Sequence, residues 1–143
     1  MSPDSANVAA FLATIQDCQQ RLRQLRGGYL AAGASRVDPV FALSGRPFTV
    51  HAGAAKTEYD GCLTLGLVVR TADGREYDLE VDLLWTERAW RIDTTARADE
   101  DERGRRLVRE LPQRNPDDLP SCLQQLQAAV TDLAVFEDWV LAK

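Results

Sequence analysis

The sequence has little of what metal sites and catalytic centres usually require. It contains a single histidine, His51, so one chain cannot form a two-histidine metal site, and it has no G-x-S-x-G nucleophile motif. Its three cysteines, Cys18, Cys62 and Cys122, lie far apart without C-x-x-C spacing, which argues against a zinc site or a disulfide framework. We therefore expect no metal, no cofactor and no enzymatic activity.

An excess of positive charge and long apolar runs are missing as well. The 143 residues carry a net charge of −5, and nucleic acids and anionic membranes attract basic proteins, so neither is expected as a partner. Another protein, especially a basic one, is expected instead. No run approaches the roughly 18 apolar residues of a membrane helix, and Met1-Ser2-Pro3-Asp4 does not begin like a signal peptide. We expect a single cytoplasmic domain over residues 1–143.

Two segments have the apolar spacing of amphipathic helices. The first begins at Ser2-Pro3-Asp4, which supply a cap, a proline at the first helical position and an acid near the positive end of the helix dipole. Gly27-Gly28 is expected to end or loosen it. The second begins near Asp118 or Ser121. The heptad-like positions are Val8, Phe11, Ile15, Cys18, Leu22, Leu25 and Tyr29, and then Leu119, Leu123, Leu126, Val130, Leu133, Phe136 and Val140.

Between these helices the sequence predicts a loop, four strands and a short helix. Residues 31–47 are interrupted by glycine and proline and are interpreted as a loop. Strands are expected at about 48–54, 62–71, 75–85 and 90–97, because apolar and polar residues alternate there. Residues 99–111 change from acidic to basic, which favours a short helix that Pro112 ends.

The apolar alternation also predicts how the strands pair. A three-residue loop, Ala72-Asp73-Gly74, places Leu67 opposite Leu79, whereas a two-residue loop would mix apolar and acidic faces. Gly74 is then expected in a left-handed conformation. In the next hairpin Trp85 faces Trp90 across a four-residue loop, and aromatic cross-strand pairs stabilise such hairpins.

These elements predict an α+β fold. It consists of a long N-terminal helix, a four-stranded antiparallel meander sheet, a short helix and a long C-terminal helix, with the helices packed on one sheet face. One sheet face does not readily cover two helices with heptad seams unless the helices also pair with each other. They can do so within the chain or across the two-fold axis of a homodimer.

A row of carboxylates on the opposite sheet face is the strongest candidate interface. We define the acidic face as Glu76, Asp78, Glu80, Asp82 and Asp93. The predicted register places Asp93 opposite Asp82, which is unfavourable unless a cation, a shared proton or a partner compensates. Three interpretations stay open: a solvated surface eased by Arg70, Arg91 and Arg97, an interface for a cationic partner, or a metal or acid–base pair. An enzyme would have to use Asp82 and Asp93.

The segment L-W-T-E-R-A-W-R-I-D, residues 84–93, resembles the closing hairpin of cystatin-like and NTF2-like domains. A leading helix followed by a meander is similar to those domains too, whereas the long C-terminal helix departs from their pattern. The resemblance implies a small-ligand pocket between the first helix and the sheet, lined by Phe48, Tyr77, Trp85 and Trp90. The same aromatic residues would also suit a closed core.

Two functional hypotheses follow. The first is a non-enzymatic protein-binding module, like an immunity protein or a secretion chaperone in class and size, that binds a partner through the acidic face or a helical face. The second is a cystatin/NTF2-like domain that binds a small ligand. The second requires a cavity larger than roughly 300 Å³ behind the sheet.

Overall fold

Alternating apolar and polar residues build the centre of an antiparallel sheet. The computed structural model describes residues 3–52, 55–100 and 106–142, and its elements are given within that part of the chain. The helices are α1 (Pro3–Ala31), α2 (Leu119–Asp132) and α3 (Glu137–Val140), with a 3-10 turn at Leu133–Phe136 before α3. The strands are β1 (Arg36–Ser44), β2 (Phe48–Ala52), β3 (Ala55–Tyr59), β4 (Gly61–Arg70), β5 (Glu76–Trp85), β6 (Trp90–Glu100) and β7 (Arg106–Glu110).

The predicted strand register is confirmed. Leu67 lies opposite Leu79 in the β4–β5 hairpin, and Gly74 in its loop has a φ of +88°. Trp85 lies opposite Trp90 in the β5–β6 hairpin. The apolar side chains therefore share one sheet face, as a one-residue shift of either strand would not allow.

The prediction of a loop over residues 31–47 is wrong for its central part. Residues 36–44 form β1, which pairs with β4 along its whole length and lies at the edge of the sheet. Pro39 interrupted the strand pattern in the sequence, but an edge strand tolerates proline because half of its N–H groups face away from the sheet. Val37 is buried on the helix side of this strand.

Two further elements differ from the prediction. The strand expected at 48–54 is β2, which pairs with β3 in a separate two-stranded hairpin rather than with the main sheet. The short helix expected at 99–111 is wrong for residues 99 and 100, which end β6, and for residues 106–110, which form β7 against the outer edge of β6. Residues 101–105 of that prediction lie outside the described residues. Pairing with an open strand edge outweighs the helical charge pattern there. Within the described residues the main sheet thus has five strands, in the order β1-β4-β5-β6-β7, rather than four.

The first helix is longer than its glycines suggested. It runs through Gly27 and Gly28 and ends at Ala31, and Gly33, with a φ of +118°, follows its end. The Ala34 N–H then donates to the Tyr29 carbonyl at 3.0 Å. Tyr29 is buried, so tertiary packing offsets the cost of about 1 kcal/mol that each helical glycine carries.

The C-terminal helix begins at one of its two predicted positions. The Asp118 carboxylate accepts a 2.8 Å hydrogen bond from the Ser121 N–H and caps α2. After Asp132 the α-helix changes to the 3-10 turn, and α3 then continues to Val140. The single long helix of the prediction is therefore three consecutive helical segments.

Both long helices pack on one sheet face, as predicted, and they pair with each other within the chain, which is one of the two predicted arrangements. Helix α1 lies over β1 and β4, and α2 lies over β5 and β6. The core between them contains the buried heptad residues of both helices and the inward residues of the central strands, including Ile15, Cys18, Leu22, Leu65, Leu67, Leu79, Val81, Leu126, Val130 and Leu133. No helix in the described ranges has an apolar stretch long enough to cross a bilayer.

Candidate binding site

An apolar pocket lies where the two helices begin. It has a volume of about 370 Å³ and is half open to solvent. The N-terminal parts of α1 and α2 flank it, and the ends of β1, β4, β5 and β6 form its base. Its lining residues are Phe11, Leu43, Leu63, Leu83, Trp85, Trp90, Leu119 and Cys122.

The β5–β6 hairpin places the two tryptophans of the pocket side by side. Trp85 and Trp90 are opposite residues in the register, with both side chains on the helix side of the sheet. The turn between them is held by the Thr86 N–H, which donates to the Ala89 carbonyl at 2.9 Å. The Thr86 hydroxyl oxygen also accepts from the Arg88 and Ala89 N–H groups. The turn therefore fixes where the two indoles stand.

Gly61 allows the Trp85 ring to lie flat across the sheet. A Cβ atom at position 61 would lie 2.2 Å from Trp85 Cζ2 and 2.7 Å from the Ser44 carbonyl oxygen. Any other residue would push the indole or the backbone aside. The glycine is therefore required for the shape of this end of the pocket.

Exposed apolar side chains lie on the helix and the strand that contribute Phe11 and Leu43 to the pocket. We define the apolar edge patch as Val8, Leu12, Phe41 and Leu43, whose exposed fractions are 58%, 55%, 50% and 67%. Val8 and Leu12 share a helix side with Phe11, which lines the pocket, and Leu43 belongs to both surfaces. A soluble monomer rarely exposes contiguous apolar surface without an interaction that uses it.

The chemistry of the pocket is almost entirely apolar. Among the described residues its lining includes no charged side chain, and the polar side-chain groups there are two indole N–H groups and the Cys122 thiol. Burial raises the pKa of that thiol to about 11, so it stays protonated near neutral pH. The described lining therefore offers mainly apolar contacts.

The structure brings together two of the four aromatic residues proposed for a ligand pocket. Trp85 and Trp90 line the cavity, whose volume exceeds the threshold of roughly 300 Å³. Tyr77 lies at the other end of β5, buried edge-to-face against Trp139 with ring centroids 5.2 Å apart. Phe48 begins β2, but its side chain lies outside the described part of the structure.

The sequence did not identify the other lining residues as part of a pocket, although the position of two of them follows from the predicted register. Leu63 and Leu83 are opposite residues in the predicted register and stand next to the tryptophan pair, so the base of the pocket followed from the pairing. Leu43 was hidden because its strand was interpreted as a loop. Phe11 and Leu119 belong to predicted helices whose placement on the sheet no local pattern specifies.

The acidic face lies on the opposite side of the sheet and is interleaved with arginines. Arg70 approaches Glu76 at 3.9 Å, and Asp78 lies opposite Arg97 in the register. Arg91 Nε donates to Asp93 at 2.8 Å. Most of the carboxylates therefore have a cation beside them, which lowers the attraction of this face for a further cation.

Asp82 and Asp93 lie opposite each other as predicted, and different partners compensate the two carboxylates. The Thr64 hydroxyl donates to Asp82 Oδ1 at 2.6 Å, while Asp93 is paired with Arg91. Burial raises the pKa of Asp82, and the hydrogen bond from Thr64 partly opposes that rise. The pair is a structural feature of the sheet with its own internal compensation.

The described residues include no group of three or more histidine, cysteine or acidic side chains arranged to hold a metal ion. His51 lies on β2 opposite Lys56, and its side chain is not among those described. Burial also raises the pKa of the Cys18 thiol to about 11 and raises that of Cys62. All three thiols are thus poor nucleophiles at neutral pH.

Comparison of the chain with protein-family models, curated proteins and solved structures gives no match. Function has to be inferred from the geometry of the chain itself.

Proposed function

We propose that this chain is a non-enzymatic protein-binding module that holds an apolar segment of a partner protein, in the manner of a secretion chaperone. The observation that carries the proposal is the half-open pocket of about 370 Å³, lined by apolar residues and continuous with the apolar edge patch through Leu43. The three unpaired cysteines suit a reducing compartment, so we place this activity in the cytoplasm.

A protein partner fits the pocket better than a small polar ligand does. Small-molecule sites normally add a few placed polar groups that orient the ligand. The described lining of this pocket offers two indole N–H groups and one thiol, and none of these described side chains is charged. A peptide segment needs only apolar contacts inside the pocket, because its polar backbone can remain in water or pair outside it.

The acidic face supports the proposal less well. An immunity-protein-like interface for a basic partner would need carboxylates available to pair with the partner's cations. Arg70, Arg91 and Arg97 already lie beside the carboxylates on this face. The helix side of the sheet, in contrast, exposes apolar surface that remains uncovered within the described residues.

The test is a peptide selection with a matched pair of variants. Displayed random peptides are selected on the protein, and their affinities are measured by fluorescence of Trp85 and Trp90 in the pocket. We expect selected peptides to contain two or more apolar residues. Leu119→Lys, at the pocket, should weaken them at least about 10-fold, because burying an unpaired charge is costly. Val135→Lys replaces an exposed valine on the 3-10 turn, outside the pocket lining, and should leave them unchanged.

Three results would contradict the proposal. Peptides that bind Leu119→Lys as tightly as the parent protein do not use the pocket. Loss of binding in the double variant Asp78→Lys, Glu80→Lys would instead identify the acidic face as the interface. If a medium-chain fatty acid or alkane binds more tightly than every peptide and displaces them, the small-ligand alternative is correct.

A further inference from the structure

The hydrogen-bonding pattern of the sheet determines which backbone groups of β1 face solvent. Thr71 and Arg75 close the β4–β5 hairpin through a 2.9 Å N–H···O=C bond. Odd-numbered residues of β4 therefore bond to β5, and even-numbered residues bond to β1. On β1 the even-numbered residues bond to β4. The N–H and C=O groups of its odd-numbered residues, including Phe41 and Leu43, point away from the sheet.

Two other observations agree with this assignment and limit the open part of the edge. The backbone nitrogen of Pro39 points outward in this assignment, so the N–H group that proline lacks is not needed for pairing with β4. The Val37 carbonyl accepts a 2.9 Å hydrogen bond from Arg26 Nε and is therefore occupied. Among the described residues, nothing bonds the outward backbone groups of Phe41 and Leu43. The edge is open from Val40 to Ser44.

This open segment lacks the usual protection of a strand edge. Monomeric proteins place lysines, prolines or bulges on exposed edges, because unpaired N–H and C=O groups recruit other strands. Here the sequence from 41 to 44 is Phe-Ala-Leu-Ser, without a charge. Val8 lies five helical turns from Arg26, which reaches β1, so the apolar edge patch continues from the strand onto the same flank of α1.

We propose that β1 pairs with β1 of a second copy of this chain, antiparallel, about a two-fold axis at Ala42. Phe41 of each copy then exchanges two hydrogen bonds with Leu43 of the other, which gives four in total. An axis at Phe41 would place Pro39 in a hydrogen-bonded position for which it has no N–H. An axis at Leu43 would place Phe41 opposite Gly45, beyond the end of β1. The axis at Ala42 places Pro39 opposite Gly45 of the other copy, past the end of β1, but it keeps the four hydrogen bonds between Phe41 and Leu43, which both lie in β1 and both carry an N–H group.

The charges beside the paired strands are compatible with a second copy as the occupant. In this register Asp38 lies at the level of Arg46 of the second copy, two residues past the end of β1, and the arrangement occurs twice by symmetry. Asp38 already pairs with Arg36 of its own chain at 2.8 Å, so Arg46 of the second copy would be a second cation beside it. Apolar surface matches as well. Phe11 lies near Leu43, and Arg26 near Val37, so α1 runs antiparallel to β1 and the two-fold axis brings the N-terminal halves of both α1 helices together.

The result is a continuous sheet formed from the two five-stranded sheets, with both pockets on its helix side. This assembly goes beyond the proposed function and does not depend on it. It also differs from a dimer that pairs the heptad seams, because most positions of those seams are already buried or partly buried within one chain.

The first test is the oligomeric state of Ala42→Lys, measured by analytical ultracentrifugation over a range of concentrations. The parent protein should be a dimer. The variant places two lysines next to each other across the axis, on the sheet side away from the pocket, and should weaken the dimer at least about 100-fold. Ala134→Lys, an exposed alanine on the 3-10 turn, is the matched control and should remain a dimer.

The second test is a disulfide across the axis. Ala42 would lie opposite Ala42 of the second copy in a non-hydrogen-bonded pair, with the two Cα atoms about 4.5 Å apart. That separation permits a disulfide between cysteines at this position. Ala42→Cys should therefore form a covalent dimer on mild oxidation. Val40→Cys should not form one, because residue 40 lies roughly 13 Å from residue 40 of the second copy in this register.

The third test is a charge exchange. Asp38→Arg should weaken the dimer several-fold, because it places arginines at the level of Arg46 of the other copy. Adding Arg46→Asp in the same chain should restore the affinity to within about 2-fold of the parent.

A protein that is monomeric at high concentration, or a dimer that Ala42→Lys leaves intact, would overturn the proposal. Leu119→Lys should remain dimeric and Ala42→Lys should still bind apolar peptides, so this proposal and the proposed function fail separately.

Discussion

The two ends of the helix side of the sheet use aromatic residues in opposite ways. At one end Tyr77 packs against Trp139, and Arg109 lies over the Trp139 ring at 5.3 Å. Arg75 donates to the Tyr77 hydroxyl and to the Ala142 carbonyl. This end is closed. At the other end Trp85 and Trp90 flank an open pocket.

The difference comes from the chain that covers each end rather than from the strands. Both ends belong to β5 and to the same alternating pattern. The 3-10 turn and α3 fold back over the Tyr77 end, whereas the described residues leave the Trp85 end partly uncovered where α1 and α2 begin. Aromatic content alone therefore does not separate a core from a binding site, and the position of the covering segment does.

The sharpest contrast is the same substitution made at each end. Leu133→Ala removes a fully buried side chain from the closed end and should lower the free energy of unfolding by about 2–5 kcal/mol. Leu43→Ala, at the open end, should change it by less than about 0.5 kcal/mol because Leu43 is mostly exposed. Urea melts of both variants measure this, and equal midpoints would mean that the two ends do not differ.

The shape of the open end can be altered through one glycine. Gly61→Ala adds a methyl group that collides with the Trp85 ring and the Ser44 carbonyl, so we expect a loss of about 1–3 kcal/mol and a shifted tryptophan emission. Gly45→Ala has open space at the same atom and is the control, with neither change expected. Emission identical in the two variants would argue against the placement of the indole over Gly61.

A buried long-range hydrogen bond ties the closed end to the first helix. The Tyr29 hydroxyl donates to the Leu133 carbonyl at 2.7 Å in a buried setting. Tyr29→Phe keeps the ring and leaves that carbonyl without this donor, which should cost about 1–2 kcal/mol in urea melts. An unchanged midpoint would show that another donor replaces the hydroxyl.

The smallest expected effect concerns Asp82, away from both ends. Its pKa lies above the ordinary value of 3.8, mainly through burial, so the folded protein holds this proton longer than the unfolded chain does. Stability should therefore fall as the pH rises from about 3.8 through the folded-state pKa. Asp82→Asn should remove that part of the fall while keeping an acceptor for Thr64. Urea melts between about pH 3 and pH 7 test this, and parallel profiles would contradict it.

The sequence predicted the fold where neighbouring residues alone determine it. Period-two alternation predicted β4, β5 and β6. The requirement to keep Leu67 and Leu79 on one sheet face predicted the register of β4 and β5. The two helices followed from heptad spacing. Their burial on one sheet face followed from the presence of only one apolar sheet face.

The same reasoning failed where long-range pairing decides the structure. Pro39 disguised β1, and the charge pattern of residues 106–110 suggested a helix where the free edge of β6 accepts a strand. The pocket was predictable only in part, because its tryptophan pair is a local hairpin feature but its walls come from helix ends. The acidic face was predictable as a row, while its compensation by arginines on neighbouring strands was clear only from the pairing.

The passage of α1 through Gly27 and Gly28 has a consequence for how the molecule opens. Its last turn has weak intrinsic helicity, and the Tyr29 contact to Leu133, 104 residues away, ties it to the C-terminal segment. These two stretches should therefore unfold together as one cooperative unit, at a lower free energy than the central strands. Amide hydrogen exchange would then report matching protection for residues 29–31 and 133–140. Local unfolding should therefore begin where the end of α1 contacts the 3-10 turn.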